Sequence, residues 1–205
     1  MRNSRTHTAA VVQPQTAADF IAYTATIIPV SAALHAALNK AAELVTVKKG
    51  EVLVTPGCRC PGIYYIQHGL LRGYYLNDGK EITNWLATEG ELATSLQAFI
   101  TGANAQEGIE ALEDCALTVL SRSALQELYA TFPEMERMGR VLTENYYIRL
   151  ENRVISLQFA SAQHRFDQLM ARNSSLFYRA PLGYIASYLG MTQETLSRIR
   201  ARKNR

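Results

Sequence analysis

The stretch IASYLGMTQETLSRIR, residues 185–200, decides how this chain is read. In the segment leading into it, PLGYIASYLG (181–190), Leu182, Ile185, Ala186 and Leu189 fall on one helical face. Gly190 tolerates the positive φ of a tight turn. Thr192 is a good N-cap for a second helix, QETLSRIRAR. Two helices that cross steeply need a small residue where they touch, and Ala186 supplies it. Leu196 and Ile199 give the second helix one apolar stripe to bury against the first. The pattern is a helix-turn-helix.

At about 100° per residue, the face opposite Leu196 and Ile199 carries Glu194, Arg198, Ala201 and Arg205, flanked by Gln193, Ser197 and Arg202. Arg can make paired hydrogen bonds to guanine, Glu can accept from cytosine, and Gln can pair with adenine. Gln193, Glu194, Ser197 and Arg198 are therefore the candidate base readers, near the start of a helix that meets base edges. Thr192, Thr195, Arg200, Arg202 and Lys203 suit phosphates. The alternative for the same pattern is helix packing alone.

The charge distribution points the same way. Residues 160–205 hold eight Arg and Lys against Asp167 and Glu194, a net of +6; the whole chain is +3, which leaves −3 for residues 1–159. A basic module on a mildly acidic body suits a polyanion at that end only; a solvated basic surface is the plainer account.

Working back from the motif, SAQHRFDQLMARNSSLF (161–177) reads as an amphipathic helix with Phe166, Leu169 and Met170 inward, ended by Asn173-Ser174-Ser175. Before it, PEMERMGRVLTENYYIRLENRVISLQFA (133–160) runs long, with Met135, Met138, Leu142, Asn145, Ile148 or Arg149, and Val154 or Ile155 near a three-four spacing. A helix of about 25 residues, about 37 Å long, exceeds what a small domain packs. It is expected to be a dimerisation seam or a connector; the alternative is a helix lying on the β domain. SALQELYATF is a short helix that stops before Pro133.

Residues 43–121 change character. Short runs rich in Val, Ile, Tyr and Thr are separated by Lys49-Gly50, Pro56-Gly57, His68-Gly69, Asn77-Asp78-Gly79 and Glu89-Gly90. Glycines at such spacing mark short antiparallel strands. Asn77-Asp78-Gly79, between LLRGYYL and KEITNWL, is the clearest hairpin. The interval ATSLQAFITGANA (93–105) offers one helical turn and a loop. Residues 17–43 are helical, broken at Pro29. The fold class is α+β: an N-terminal antiparallel, jelly-roll-like β-roll with flanking helices, a long dimerisation helix, and a C-terminal helix-turn-helix. The expected divisions are a loose leader (1–16), the β-roll sensor (17–132), the long helix (133–158) and the helix-turn-helix domain (159–205).

Other chemistry is weakly supported. The leader lacks a continuous apolar core, so it is not read as a signal peptide, and no apolar run is long enough to span a membrane. Cys58, Cys60 and Cys115 have no disulfide framework spacing, which fits a reducing cytoplasm. Cys58-Arg-Cys60 alone cannot complete a zinc site; both thiols read as loop residues and Cys115 as core. The four histidines are scattered, against the converging set that a metal-dependent, cupin-like enzyme needs. No nucleophile–base pair, P-loop or paired-carboxylate motif appears. The expectation is a protein that is not an enzyme and needs no metal or cofactor.

The residues 185–200, with the order β-roll, long helix, helix-turn-helix, resemble the Crp/Fnr family of bacterial transcription regulators. The resemblance covers most of the chain from about residue 20 and implies a homodimer bound to double-stranded DNA at a near-palindromic operator, with RNA polymerase and a small-molecule effector as further partners. It makes Glu194 and Arg198 base readers. Gln193 stands where members often have Arg, which changes the expected half-site. No wing hairpin follows the recognition helix in the sequence, so backbone contacts are expected from its basic end.

By the same resemblance, cyclic-nucleotide-binding members use Gly-Glu, a short helix and then Arg-Ser. Here Gly90-Glu91-Leu92 keeps the first part, but Ala105, Gln106 and Glu107 stand near the second, and no arginine occurs between Lys80 and Ser121. A phosphate beside Glu107 and Glu110 lacks a partner. The usual mode of cAMP binding is therefore not expected, and the effector is unassigned. Arg72 is the one nearby basic candidate for the effector pocket with Gly90, Glu91 and Leu92; its ordinary reading is a solvated strand residue. The reading from another class is a ligand-binding β-roll protein whose helical tail makes protein contacts instead of binding DNA.

Overall fold

The computed structural model describes residues 17–203, without the side chain of Lys203. The leader (1–16), the Lys203 side chain and Arg205 lie outside the described residues. Two helices, α1 (Ala18–Ile27) and α2 (Ala32–Ala41), open the fold. The Ser31 side chain caps α2 by accepting from Leu34 N–H at 3.1 Å.

Eight short strands follow: β1 (Glu43–Val47), β2 (Val52–Val54), β3 (Gly62–His68), β4 (Leu71–Asn77), β5 (Lys80–Ala87), β6 (Leu92–Ala93), β7 (Glu107–Ala111) and β8 (Cys115–Ser121). They form two four-stranded antiparallel sheets, ordered β1-β8-β3-β6 and β2-β7-β4-β5. The β4–β5 turn has Asp78 at φ 50° and Gly79 at φ 75°, both in the left-handed region. Two positive-φ residues between paired strands twist the hairpin as the sheet twists. The helical turn of residues 93–105 is α3 (Leu96–Thr101).

The second sheet has a core on each face. Alternate side chains point opposite ways. Leu71, Ile109 and Ala111 face into the roll with Leu34, Leu38, Ile66 and Leu117. Leu70, Leu86 and Leu112 face outward, into a second core. A bulge between Gly73 and Tyr74 shifts the β4–β5 register. It lets the Trp85 indole lie on Gly73, where a Cβ would come within 2.1 Å of the ring.

After α4 (Arg122–Thr131), the long helix α5 runs from Pro133 to Phe159, 27 residues or about 40 Å. Pro133 suits the first turn because its missing N–H is not needed there, and Glu134 and Glu136 sit favourably at that end of the helix dipole. Only Met135 and Met138 of α5 are buried. From Thr143 onward no residue of α5 is buried; the helix still touches the roll at Arg149, which pairs with Glu91, and then runs on to the head. The head comprises α6 (Ala162–Asn173), α7 (Leu176–Arg179), α8 (Leu182–Tyr188) and α9 (Gln193–Lys203). The single turn α7 has no counterpart in the sequence reading, which ended one helix at Asn173 and began the next after Pro181. Phe166 meets Phe177 edge-on at 5.2 Å and anchors the head core. Among the described residues no helix is long and apolar enough to cross a membrane.

The three cysteines differ in reactivity. Cys58 is exposed, while Cys60 and Cys115 are buried, and burial pushes the Cys115 thiol up to about 11. A thiol reagent at pH 8 is therefore expected to label one cysteine of the native chain quickly and all three in denaturant. Rapid labelling of Cys115 without denaturant would contradict its place in the core.

Candidate nucleic-acid interface and its dock on the β-roll

The turn of the helix-turn-helix is set by backbone bonds. Met191 N–H donates to Ala186 O at 3.0 Å, across the point where α8 and α9 meet. Gly190 has φ 63°, and a Cβ there would come within 2.8 Å of Leu157 on α5. The Thr192 hydroxyl caps α9, accepting from Thr195 N–H at 3.2 Å. Ile185, Ala186, Leu196 and Ile199 are buried together.

This burial leaves one face of α9 open. Gln193, Glu194, Ser197, Arg198, Ala201 and Arg202 are all exposed. None of these side chains has an ion-pair partner among the described residues; the Arg198 Nη2 touches the Thr195 hydroxyl at 3.4 Å. The candidate base readers thus share one surface. The phosphate candidates are more dispersed. Thr192 and Thr195 share a hydrogen bond at 3.0 Å, and Arg200 is half-buried, its guanidinium 5.8 Å from the Phe177 ring centre.

The other arginines of residues 160–205 serve inside the molecule, which narrows the basic surface that charge counting suggests. Arg165 donates to Leu189 O at 2.7 Å, Ala160 O at 2.5 Å and Gly190 O at 3.3 Å, stapling α6 to the turn. Arg172 pairs with Glu91 at 3.1 Å. Arg179 holds two carboxylates of the roll, Glu89 at 2.7 Å and Glu113 at 2.6 Å. Burial alone would raise the Glu89 carboxyl; the Arg179 hydrogen bonds and the Gly69 N–H outweigh it and hold the carboxyl at about 2. The cationic surface left over is the α9 end.

Arg72 corrects the expectation of a solvated strand residue. It is 0% exposed, on the outward face of the second sheet. It pairs with Glu81 and Glu110, each at 2.6 Å, and its Nε–H donates to the Thr83 hydroxyl at 2.9 Å. Its guanidinium lies 3.6 Å from the ring centre of Tyr184 on α8. Beside it the Ser187 hydroxyl accepts Thr83 N–H at 2.9 Å. Helix α8 is therefore docked on β5.

The four effector-pocket candidates do not come together. Gly90, Glu91 and Leu92 form one turn, and Arg72 faces the head. Glu91 Oε2 accepts Thr88 N–H at 2.9 Å, while Oε1 meets Arg149 of α5 at 3.3 Å and Arg172 of α6. Glu91 thus ties the roll to the two helices beyond it, beside a cleft of about 220 Å³. The sequence reading gives Glu89, Glu113, Arg179, Tyr184 and Ser187 no docking role. Nothing local marks them, since their partners across the dock are 66–112 positions away. Among the described residues no group of His, Cys, Asp or Glu could hold a metal ion.

With this geometry established, comparison with known proteins is informative. Residues 44–132 match the cyclic nucleotide-binding domain family. The chain matches no curated protein. Among solved structures it resembles a transcriptional regulator of the crp/fnr family from Eubacterium rectale, at 18% identity over 83% of this chain and 82% of that one, with a TM-score of 0.66. FixK2 from Bradyrhizobium japonicum gives 20% identity, 78% and 83% coverage and a TM-score of 0.66. The c-di-GMP-responsive global regulator CLP of Xanthomonas campestris gives 15% identity, 85% and 92% coverage and a TM-score of 0.63. The likeness is one of fold: the chain has the architecture of Crp/Fnr regulators, and its β-roll is similar to the cyclic nucleotide-binding domain.

The Arg179 clamp has a defined pH dependence. Glu89 sits below its ordinary value of 4.5, so its contribution is complete above about 4.5 and is lost as pH falls toward 2. Arg179→Met is expected to lower the melting temperature by about 2–4 °C between pH 5 and 8, and the deficit should shrink below pH 4.5. An equal deficit at pH 3 would show that Arg179 acts through packing alone.

Proposed function

We infer that this protein is a sequence-specific, DNA-binding transcription regulator of Crp/Fnr type, working in the cytoplasm as a homodimer. The observation that carries this reading is the open face of α9. Gln193, Glu194, Ser197 and Arg198 reach solvent from a helix whose Leu196 and Ile199 are buried, so the donors and acceptors that read base edges are free to enter a major groove. Arg200, Arg202 and Lys203, with the Thr192 and Thr195 hydroxyls, supply the phosphate contacts that fix register.

The partner surface lies on α5. Asn145, Ile148, Asn152, Ile155 and Phe159 repeat at spacings of three and four, and all are exposed, Phe159 at 80%. Apolar residues at this period, interrupted by Asn, build a two-helix seam in which the polar positions set register. A two-fold axis along this seam would present two recognition helices about 34 Å apart, one helical turn of DNA.

The β-roll is the sensor, and its ligand is not cAMP held by the usual Arg-Ser pair. The signal it passes to the head travels through the α8–β5 dock.

Selection of bound duplexes from a random pool tests the reading directly. A two-fold-symmetric site is expected, bound with a steep salt dependence from counterion release. Weak binding with no enriched site, with or without added effectors, would support the protein-contact alternative. Arg198→Ala is expected to cost about 1–3 kcal/mol on the selected site; an equal loss on random DNA would make Arg198 a phosphate contact. The double variant Ile148→Asp with Ile155→Asp should sediment as a monomer, and a dimer that survives it would place the seam elsewhere.

A further inference from the structure

One charged group in the roll is buried without a counter-charge. Glu107, at the start of β7, is 5% exposed. The Trp85 indole N–H donates to its Oε2 at 3.1 Å, and the Asn84 amide reaches the same oxygen at 3.4 Å. The Ser95 hydroxyl completes the set. Every one of these partners is neutral, and Glu107 forms no ion pair among the described residues. Burial raises its carboxyl, as expected when a charge is desolvated without a cation. Glu110 on the same strand differs: three residues on, it points to the opposite face and is neutralised by Arg72.

The groups around Glu107 are aromatic. Tyr75 is its direct cross-strand neighbour. Tyr146 approaches from α5. Burial first, and the Glu107 charge second, push both phenols up, which places both rings within electrostatic reach of the carboxylate. Both rings reach solvent, Tyr75 at 38% and Tyr146 at 44% exposure. Trp85 is held flat by Gly73 beneath it. Arg149 also acts on Tyr146 but is itself paired with Glu91. A buried carboxylate ringed by an indole and two phenols has the electrostatics of a cation site, because aromatic faces attract positive charge most strongly where water is excluded.

We propose that this mouth of the roll, between β4, β5 and α5, binds a small organic cation, an ammonium or guanidinium group, with Glu107 as counter-ion and Tyr75, Trp85 and Tyr146 as walls. The same carboxylate repels an anionic phosphate. Contact with Tyr146 places the ligand against α5, the helix that carries the seam. The inference rests on the roll being the sensor of the regulator described above, but the binding step is separable from DNA.

Trp85 is the chain's single tryptophan, so its emission reports this site alone. Full-length protein is titrated with choline, agmatine and cAMP at fixed ionic strength and without DNA. At least one of the two cations is expected to shift Trp85 emission saturably, and cAMP is not. Glu107→Gln, which keeps the shape and removes the charge, should weaken the cation at least tenfold. Tyr75→Leu, at a partly exposed ring, should weaken it several-fold while Glu107 stays in place. Affinity should fall as the pH is lowered and protons compete for the carboxylate. No saturable response to either cation, an unchanged response in Glu107→Gln, or saturation by cAMP would each overturn the proposal. Duplex selection on apo protein is unaffected by any of these, so failure here and failure of DNA binding are distinguishable.

Discussion

A guanidinium with no solvent exposure holds this molecule in its arrangement. Arg72 sits between Glu81 and Glu110 of its own sheet and beneath the Tyr184 ring of the head. Desolvating such a charge is costly, and only close carboxylates and a full set of donor contacts offset it. Its Nη2 has no hydrogen-bond partner among the described residues; the guanidinium as a whole lies against the rings of Tyr184 and Tyr74. Lifting α8 from the sheet would remove that ring and the Ser187 cap of Thr83 together. The dock is therefore coupled to how well Arg72 is satisfied, which is a property of the roll.

From this follows the unusual burden on the second sheet. An antiparallel sheet commonly packs one face and wets the other. Here the inward face closes the roll and the outward face closes the head core through Leu70, Leu86 and Leu112. Shape changes on either side act on one set of strands. Glu107 and Glu110 make the point at the level of two residues: they alternate across β7, one facing the roll interior and one the head.

The elements were legible because their signals are local. Asn77-Asp78-Gly79 marked the hairpin, Pro133 the start of α5, and Gly190 with Thr192 the turn and cap of the helix-turn-helix. Leu196 and Ile199 gave the buried stripe of α9, and its open face followed by angle. Interdomain contacts were not legible. Arg172 and Arg179 looked like basic surface because Glu89, Glu91 and Glu113 are distant in sequence and near only in the fold. Arg72 looked solvated because a strand residue's second neighbour, here an aromatic ring from α8, cannot be read from alternation. Glu91 is a pocket candidate only through the family resemblance, and its charged partners come from α5 and α6.

The contact between Leu157 and Gly190 has a geometric consequence. The head rests on the last turns of α5 at the turn residue itself, and Arg153 adds a hydrogen bond to Tyr188 O at 3.0 Å. The helix thus works as an indexed shaft. Each residue along it advances about 1.5 Å and turns about 100°. The length of α5 between Ile148 and Leu157 is then a phase setting: it fixes the azimuth at which α9 is offered to a duplex, in steps far coarser than the twist between neighbouring base pairs. Side-chain changes on α5 tune how firmly the shaft is held, whereas insertions or deletions would turn the reading head away from the groove altogether.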